Sequence, residues 1–93
     1  HNKGFEEPVA NKALLNHVIS TPRAKTAEIC EIQCFIEVKC ESYNLGPNED
    51  GGYLCELSDS EGVRDPDDLR VRQGSVYRAT KVSWGGGVVK SIT

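Results

Sequence analysis

Four cysteines, Cys30, Cys34, Cys40 and Cys55, are the residues of this 93-residue chain best suited to chemistry, in the spacing C-x3-C-x5-C-x14-C. Three chemistries compete for them. An even count in a small domain is the pattern of disulfide-stapled, exported proteins. Structural zinc wants compact ligand pairs, commonly C-x2-C, and neither Cys30/Cys34 nor Cys40/Cys55 forms one; His17 lies 13 residues upstream. A thioredoxin-like redox pair wants C-x-x-C opening a helix, whereas Cys30 is expected a turn inside one. Disulfides are therefore expected, with no metal and no cofactor.

Other reactive constellations are sparse. Beyond His1, His17 is the one histidine, no G-x-S-x-G occurs, and paired cysteines leave no thiol nucleophile, so no enzyme activity is expected and His17 reads as a strand side chain. The acidic loops Asn48-Glu49-Asp50 and Asp65-Pro66-Asp67-Asp68 lack the D-x-[DN]-x-[DN]-G order of a calcium loop and read as solvated charge, with Asp68 a candidate turn cap. Gly85-Gly86-Gly87-Val88-Val89-Lys90-Ser91 echoes a phosphate loop, but only Ile92 and Thr93 follow, too few to open the helix that motif needs. Residues 83–93, including Trp84, are expected to be a Gly-rich tail or linker after a single domain at 1–82.

Composition sets the class. With 27% charged and 38% apolar residues the chain suits a globular domain, and no apolar run approaches the roughly 20 residues of a membrane span. A domain of this size buries only about 60 to 65% of its unfolded surface, so its core needs help from cross-links. There is no methionine and no apolar leader after His1, which fits a processed protein or an excised piece whose export signal lies outside it. The net charge of −3 conceals a segregation: residues 28–68 carry −10, residues 1–27 carry +2 and residues 69–93 carry +5.

The elements that must hold the cysteines follow from local pattern. Asn16–Thr21 reads as a short strand ending before Pro22. Thr26 is a candidate N-cap for a helix running to about Val38, with Glu28 and Glu31 in its first turn. Cys30 and Cys34, four apart, share one face with Ala27 and Val38, and that face must point inward. Ser42–Leu45 and Tyr53–Leu57 form a hairpin across a long turn-rich loop, and Ser58–Asp68 is a second, acidic loop. Leu69–Arg72 alternates as a half-buried strand, Gln73-Gly74-Ser75 turns, and Val76–Val82 is a further strand.

Four cysteines allow three pairings and the residues alone do not choose. Cys30 with Cys34 would tie the helix to itself. A nested pairing of Cys34 with Cys40 and Cys30 with Cys55 would staple the helix to the following strand and to the far strand of the hairpin. The loop-closure relation assigns about 3.5 kcal/mol to the 25-residue separation and about 2 kcal/mol to the 6-residue one.

Cys30-Glu31-Ile32-Gln33-Cys34, then Cys40-Glu41-Ser42-Tyr43-Asn44, then Cys55-Glu56-Leu57 resembles the core of the PAN/apple domain family, in which a C-x3-C helix precedes a C-x-S-[FY] strand and a C-x-L strand. Asn16-His17-Val18-Ile19, Asp68-Leu69 and Val76-Tyr77 fit the outer strands, so the likeness spans roughly residues 5 to 82. It implies an α+β fold, a twisted antiparallel sheet of about five strands cradling one α-helix, stapled by Cys30–Cys55 and Cys34–Cys40. It also implies a secreted, non-catalytic module that binds an extracellular protein or a glycan beside other domains of its parent chain. The bridge that ties the two ends of apple domains proper has no cysteines here, which fits the shorter PAN variant.

If the chain ends lie side by side as the resemblance implies, Arg70, Arg72 and Arg78 join Lys12, Arg23 and Lys25 in a cationic patch suited to sulfated or carboxylated glycans. Charge placed outward only for solubility is the competing reading, as is cross-sheet packing for Tyr43, Tyr53 and Tyr77, whose rings otherwise suit sugar stacking. A pI near 5.3 and an oxidised compartment speak against nucleic acid. A purely structural spacer in a modular extracellular matrix protein is the alternative function.

Overall fold

A computed structural model describes residues 3–82, so the Gly-rich segment and Trp84 lie outside the described residues. The order is β1 (Lys3–Phe5), β2 (Val9–Leu14), β3 (Val18–Ser20), β4 (Arg23–Ala24), α1 (Ala27–Ile36), β5 (Ser42–Pro47), β6 (Tyr53–Ser58), a 3-10 turn at Pro66–Asp68 and β7 (Leu69–Val82). The class is α+β, an antiparallel sheet with one helix and two disulfides. Seven strands occupy five ladder positions, because β1 and β2 share one edge of β7 while β3 and β4 share the outer edge of β6. Pro8 and Pro22 fall in the gaps that divide each edge pair, where a missing N–H interrupts the ladder.

Thr26 caps α1 as expected, its hydroxyl accepting from Ile29 N–H at 3.3 Å. The helix ends at Ile36, short of Val38. Glu37 is extended, and Cys40 N–H donates to the Glu37 carbonyl at 3.0 Å, folding the chain back so that Cys40 reaches Cys34. Val38 is consequently 83% exposed rather than part of the buried stripe.

Both bridges follow the nested pairing, with Cα atoms 5.7 Å apart in Cys30–Cys55 and 5.3 Å apart in Cys34–Cys40. The four half-cystines are the centre of the core, joined by Ala24, Tyr43 and Leu57, with Phe5, Ile29 and Leu45 packed around them. Phe5 meets Tyr43 edge-on at 5.7 Å between ring centroids. Few large aliphatic side chains take part, so cross-linking supplies what apolar area cannot.

The β5–β6 hairpin matches its expected limits closely, from Ser42 opposite Ser58 to Pro47 opposite Tyr53. The Gln73-Gly74-Ser75 stretch departs from expectation: it is a bulge within one long strand. Ala10 pairs with Val76 but Lys12 with Val71, so Asn11 faces the extra residues; Asn11 and Gly74 both adopt left-handed backbone, and the Gly74 N–H donates to the Asn11 side-chain oxygen at 3.0 Å.

On the sheet face away from the helix, Asn44 is buried and acts as a piece of backbone. Its Oδ1 accepts from Leu14 N–H and its Nδ2 donates to the Leu14 carbonyl, both at 2.9 Å, so a side chain on β5 continues the ladder to β2. Nδ2 also donates to Glu56 Oε1 at 3.0 Å, and Arg72 reaches the same oxygen at 2.8 Å.

Two outcomes test this packing. Replacing Cys30 and Cys55 together by Ala should lower unfolding free energy by about 3 kcal/mol in urea titration, more than replacing Cys34 and Cys40 together, because it opens the longer loop. Asn44→Ala should cost about 2 to 4 kcal/mol in the same assay by stranding both Leu14 groups, whereas Asn48→Ala on the exposed loop should cost under about 0.5 kcal/mol.

Candidate recognition surface

The Cys30–Cys55 bridge fixes which side of α1 faces outward. With Cys30 and Cys34 turned in, Ile32, Phe35 and Ile36 fall on the solvent side, spaced three and four apart so that they form one stripe. Phe35 is 54% and Ile36 67% exposed. Ile32 and Phe35 also wall a groove of about 400 Å³ between α1 and β1, closed by Gly4, Phe5, Glu31 and Arg78. The helix itself carries Glu28 and Glu31 and no cation.

The six candidate cations are spread over the sheet. Arg78, opposite Tyr43, stands on the helix side: it bonds Glu31 at 3.1 Å and the Glu6 carbonyl at 2.6 Å, and lies 5.4 Å from the Phe5 ring centroid. Arg72 is on the other side, tied to Glu56 and to Ser75 Oγ at 2.7 Å. Arg70 follows the acidic loop and donates to the Asp67 carbonyl at 2.9 Å. Lys12 pairs in register with Val71, so it and Arg70 alternate to opposite faces. Arg23 and Lys25 belong to the far edge, beyond β6, where Arg23 is almost fully exposed and 3.7 Å from Asp50. The structure thus brings Arg23 and Lys25 together, and separates them from the cations on β7.

Around Arg23 and Lys25 lies a second groove of about 220 Å³, completed by Ile29, Asn48, Asp50, Gly52 and Tyr53. Tyr53 is 40% exposed, whereas Tyr43 and Tyr77 are buried. Burial pushes the hydroxyls of Tyr43 and Tyr77 above the usual tyrosine range, opposed by hydrogen bonds from Arg78 and from Gly62 N–H respectively. Tyr77 Oη accepts the Gly62 N–H at 2.7 Å and so anchors the acidic loop.

His17 is not on a strand. It precedes β3, and its Nε2 lies 2.8 Å from Asp68 Oδ2 and 3.6 Å from Asp65 Oδ2. Hydrogen bonds from His17 and then Asn16 hold the Asp68 carboxyl below its usual range. Residue order carries no signal for this meeting, since 17 and 65 are about half the chain apart; the connection from β2 on one sheet edge to β3 on the other supplies it, its ends bonded to Asp68 and Asp59.

Comparison with curated proteins and with solved structures found no match for this chain. The family model for the PAN domain matches residues 6–81, which takes in α1, both disulfides and every strand from β2 to most of β7. The helix stapled inward to β6, the hairpin that follows and the family match agree, and the chain belongs to the PAN domain family.

Proposed function

We propose that this chain is a non-catalytic recognition module of a secreted or cell-surface protein, and that it binds another protein through the outward face of α1 and the adjoining groove. PAN domains serve as protein- or carbohydrate-binding modules in larger proteins, and those with disulfides are typical of extracellular ones. The observation that carries the reading is the exposed stripe Ile32, Phe35 and Ile36 on a helix locked in place from beneath. A spacer has no use for such a surface, while an interface centre wants rigid apolar and aromatic anchors. Because the helix bears two acids and no base, the complementary surface carries apolar side chains set among Lys and Arg.

A second reading, a glycan ligand, is favoured by the groove where Tyr53 stands beside Arg23 and Lys25. An aromatic face with adjacent guanidinium and ammonium groups suits a carboxylated or sulfated sugar. Arg70, Arg72, Arg78 and Lys12 play no part in that site.

The two readings separate on arrays. Against a panel of extracellular ectodomains, the protein reading expects a partner whose affinity falls at least tenfold in Phe35→Asp and in Ile36→Asp, with both disulfides and the circular dichroism unchanged. Ectodomain binding insensitive to both substitutions, or none at all, contradicts it. The glycan reading expects acidic-glycan binding that weakens with salt and is lost in Tyr53→Ala and Arg23→Ala; no glycan signal contradicts it and, together with no ectodomain signal, leaves the spacer.

A further inference from the structure

We propose that His17, Asp65 and Asp68 form a binding site for a divalent transition-metal ion of the zinc class. The three side chains come from two distant parts of the chain and present His17 Nε2 and one oxygen of each carboxylate within 4.8 Å of one another. Ligand atoms bound tetrahedrally at zinc distances are about 3.3 Å apart. The separations of 2.8 Å to Asp68 and 3.6 Å to Asp65 bracket that value, so a small rotation of either carboxylate admits the ion.

Charge makes the arrangement hard to explain as a hydrogen bond alone. One carboxylate satisfies one imidazole N–H. The second carboxylate, facing the same nitrogen, leaves a net negative charge even when His17 is protonated. Arg64 pairs with Glu41 and Arg70 donates to the Asp67 carbonyl; the charge of each is felt at Asp65 and Asp68 respectively, but neither forms an ion pair with those carboxylates. A divalent ion neutralises the pair.

Asp68 is also held from behind, as metal ligands are by their outer shell. Asn16 Nδ2 donates to Asp68 Oδ1 at 3.0 Å, whereas the Ser60 hydroxyl donates to Asp65 Oδ2, the oxygen that faces His17, and leaves that oxygen one lone pair for an ion. Backbone bonds pin both sides: Leu15 N–H to the Asp68 carbonyl at 2.9 Å, and Asp59 N–H to the His17 carbonyl at 3.1 Å. Each side chain is between a quarter and a third exposed, so water can complete the coordination. One imidazole nitrogen with two carboxylates suits zinc, whereas calcium takes six to eight oxygens. A bound ion would tie the acidic loop to the β2–β3 connection.

The test is calorimetric titration of ZnCl2 into the EDTA-treated, disulfide-intact protein, with CaCl2 in parallel. One saturable equivalent of zinc is expected, without comparable calcium binding, and affinity should fall at least tenfold in His17→Gln and in Asp68→Asn but not in Asp67→Asn. His1→Ala should leave it unchanged. Absence of saturable zinc binding, binding retained in both ligand variants, or binding lost with His1→Ala overturns the site. If the ligand variants fold poorly, the imidazole 15N shifts of His17 in the unmodified protein decide: displacement of the Nε2 resonance by one equivalent of zinc is required, and an unmoved resonance refutes it.

Discussion

The covalent tie between the middle of α1 and the central hairpin at Cys30–Cys55 is the constraint on which the rest of this structure depends. A ten-residue helix is too short to persist on its own in water, and the face of α1 that meets the sheet is furnished by two half-cystines rather than large apolar side chains. The bridge does for the helix what a broad apolar stripe does in larger domains. Because it also fixes rotation about the helix axis, it determines that Ile32, Phe35 and Ile36 are outward. The same residues that would weaken an ordinary amphipathic helix become available for recognition.

Beneath the sheet the chain solves a different problem. The face away from the helix is covered by β2 and by the loop from Asp59 to Asp68, with serines and Asn44 where a core would usually be aliphatic. Asn44 substitutes for backbone against Leu14, Glu56 joins it to Arg72, and Tyr77 holds Gly62. Buried polar groups of this kind specify one arrangement where each is satisfied; Ser58 Oγ, fully buried on this face, is the exception and has no hydrogen-bond partner among the described residues. Ion pairs join the basic C-terminal flank to the acidic centre: Arg72 meets Glu56 and Arg78 meets Glu31, while Arg64 pairs with Glu41 inside the centre itself.

Much of this was legible in residue order because it is local. Thr26, the four-residue cysteine spacing and the turn-rich stretch around Asn48 announce the cap, the buried face and the hairpin, each decided within a few residues. The helix end was misplaced because a bridge to Cys40, not the propensity of Glu37 and Val38, terminates it. The Gly74 bulge looked like a turn since both use a left-handed glycine; only pairing with β2 distinguishes them. Strands β1, β2 and β4 carry weak patterns of their own and exist because β7 and β6 offer open edges. The separation of Arg23 and Lys25 from the cations on β7, and the meeting of His17 with Asp65 and Asp68, depend on strand order and so lay beyond any local reading.

The most direct examination of the claim that the Cys30–Cys55 bridge sets the helix is native-state hydrogen exchange on the oxidised protein and on the Cys30→Ala/Cys55→Ala variant under identical conditions. The amides of residues 31–37 are expected to lose most of their protection in the variant while those pairing β5 with β7 stay protected. Helix amides that remain as protected as the β5–β7 ladder without the bridge would contradict it.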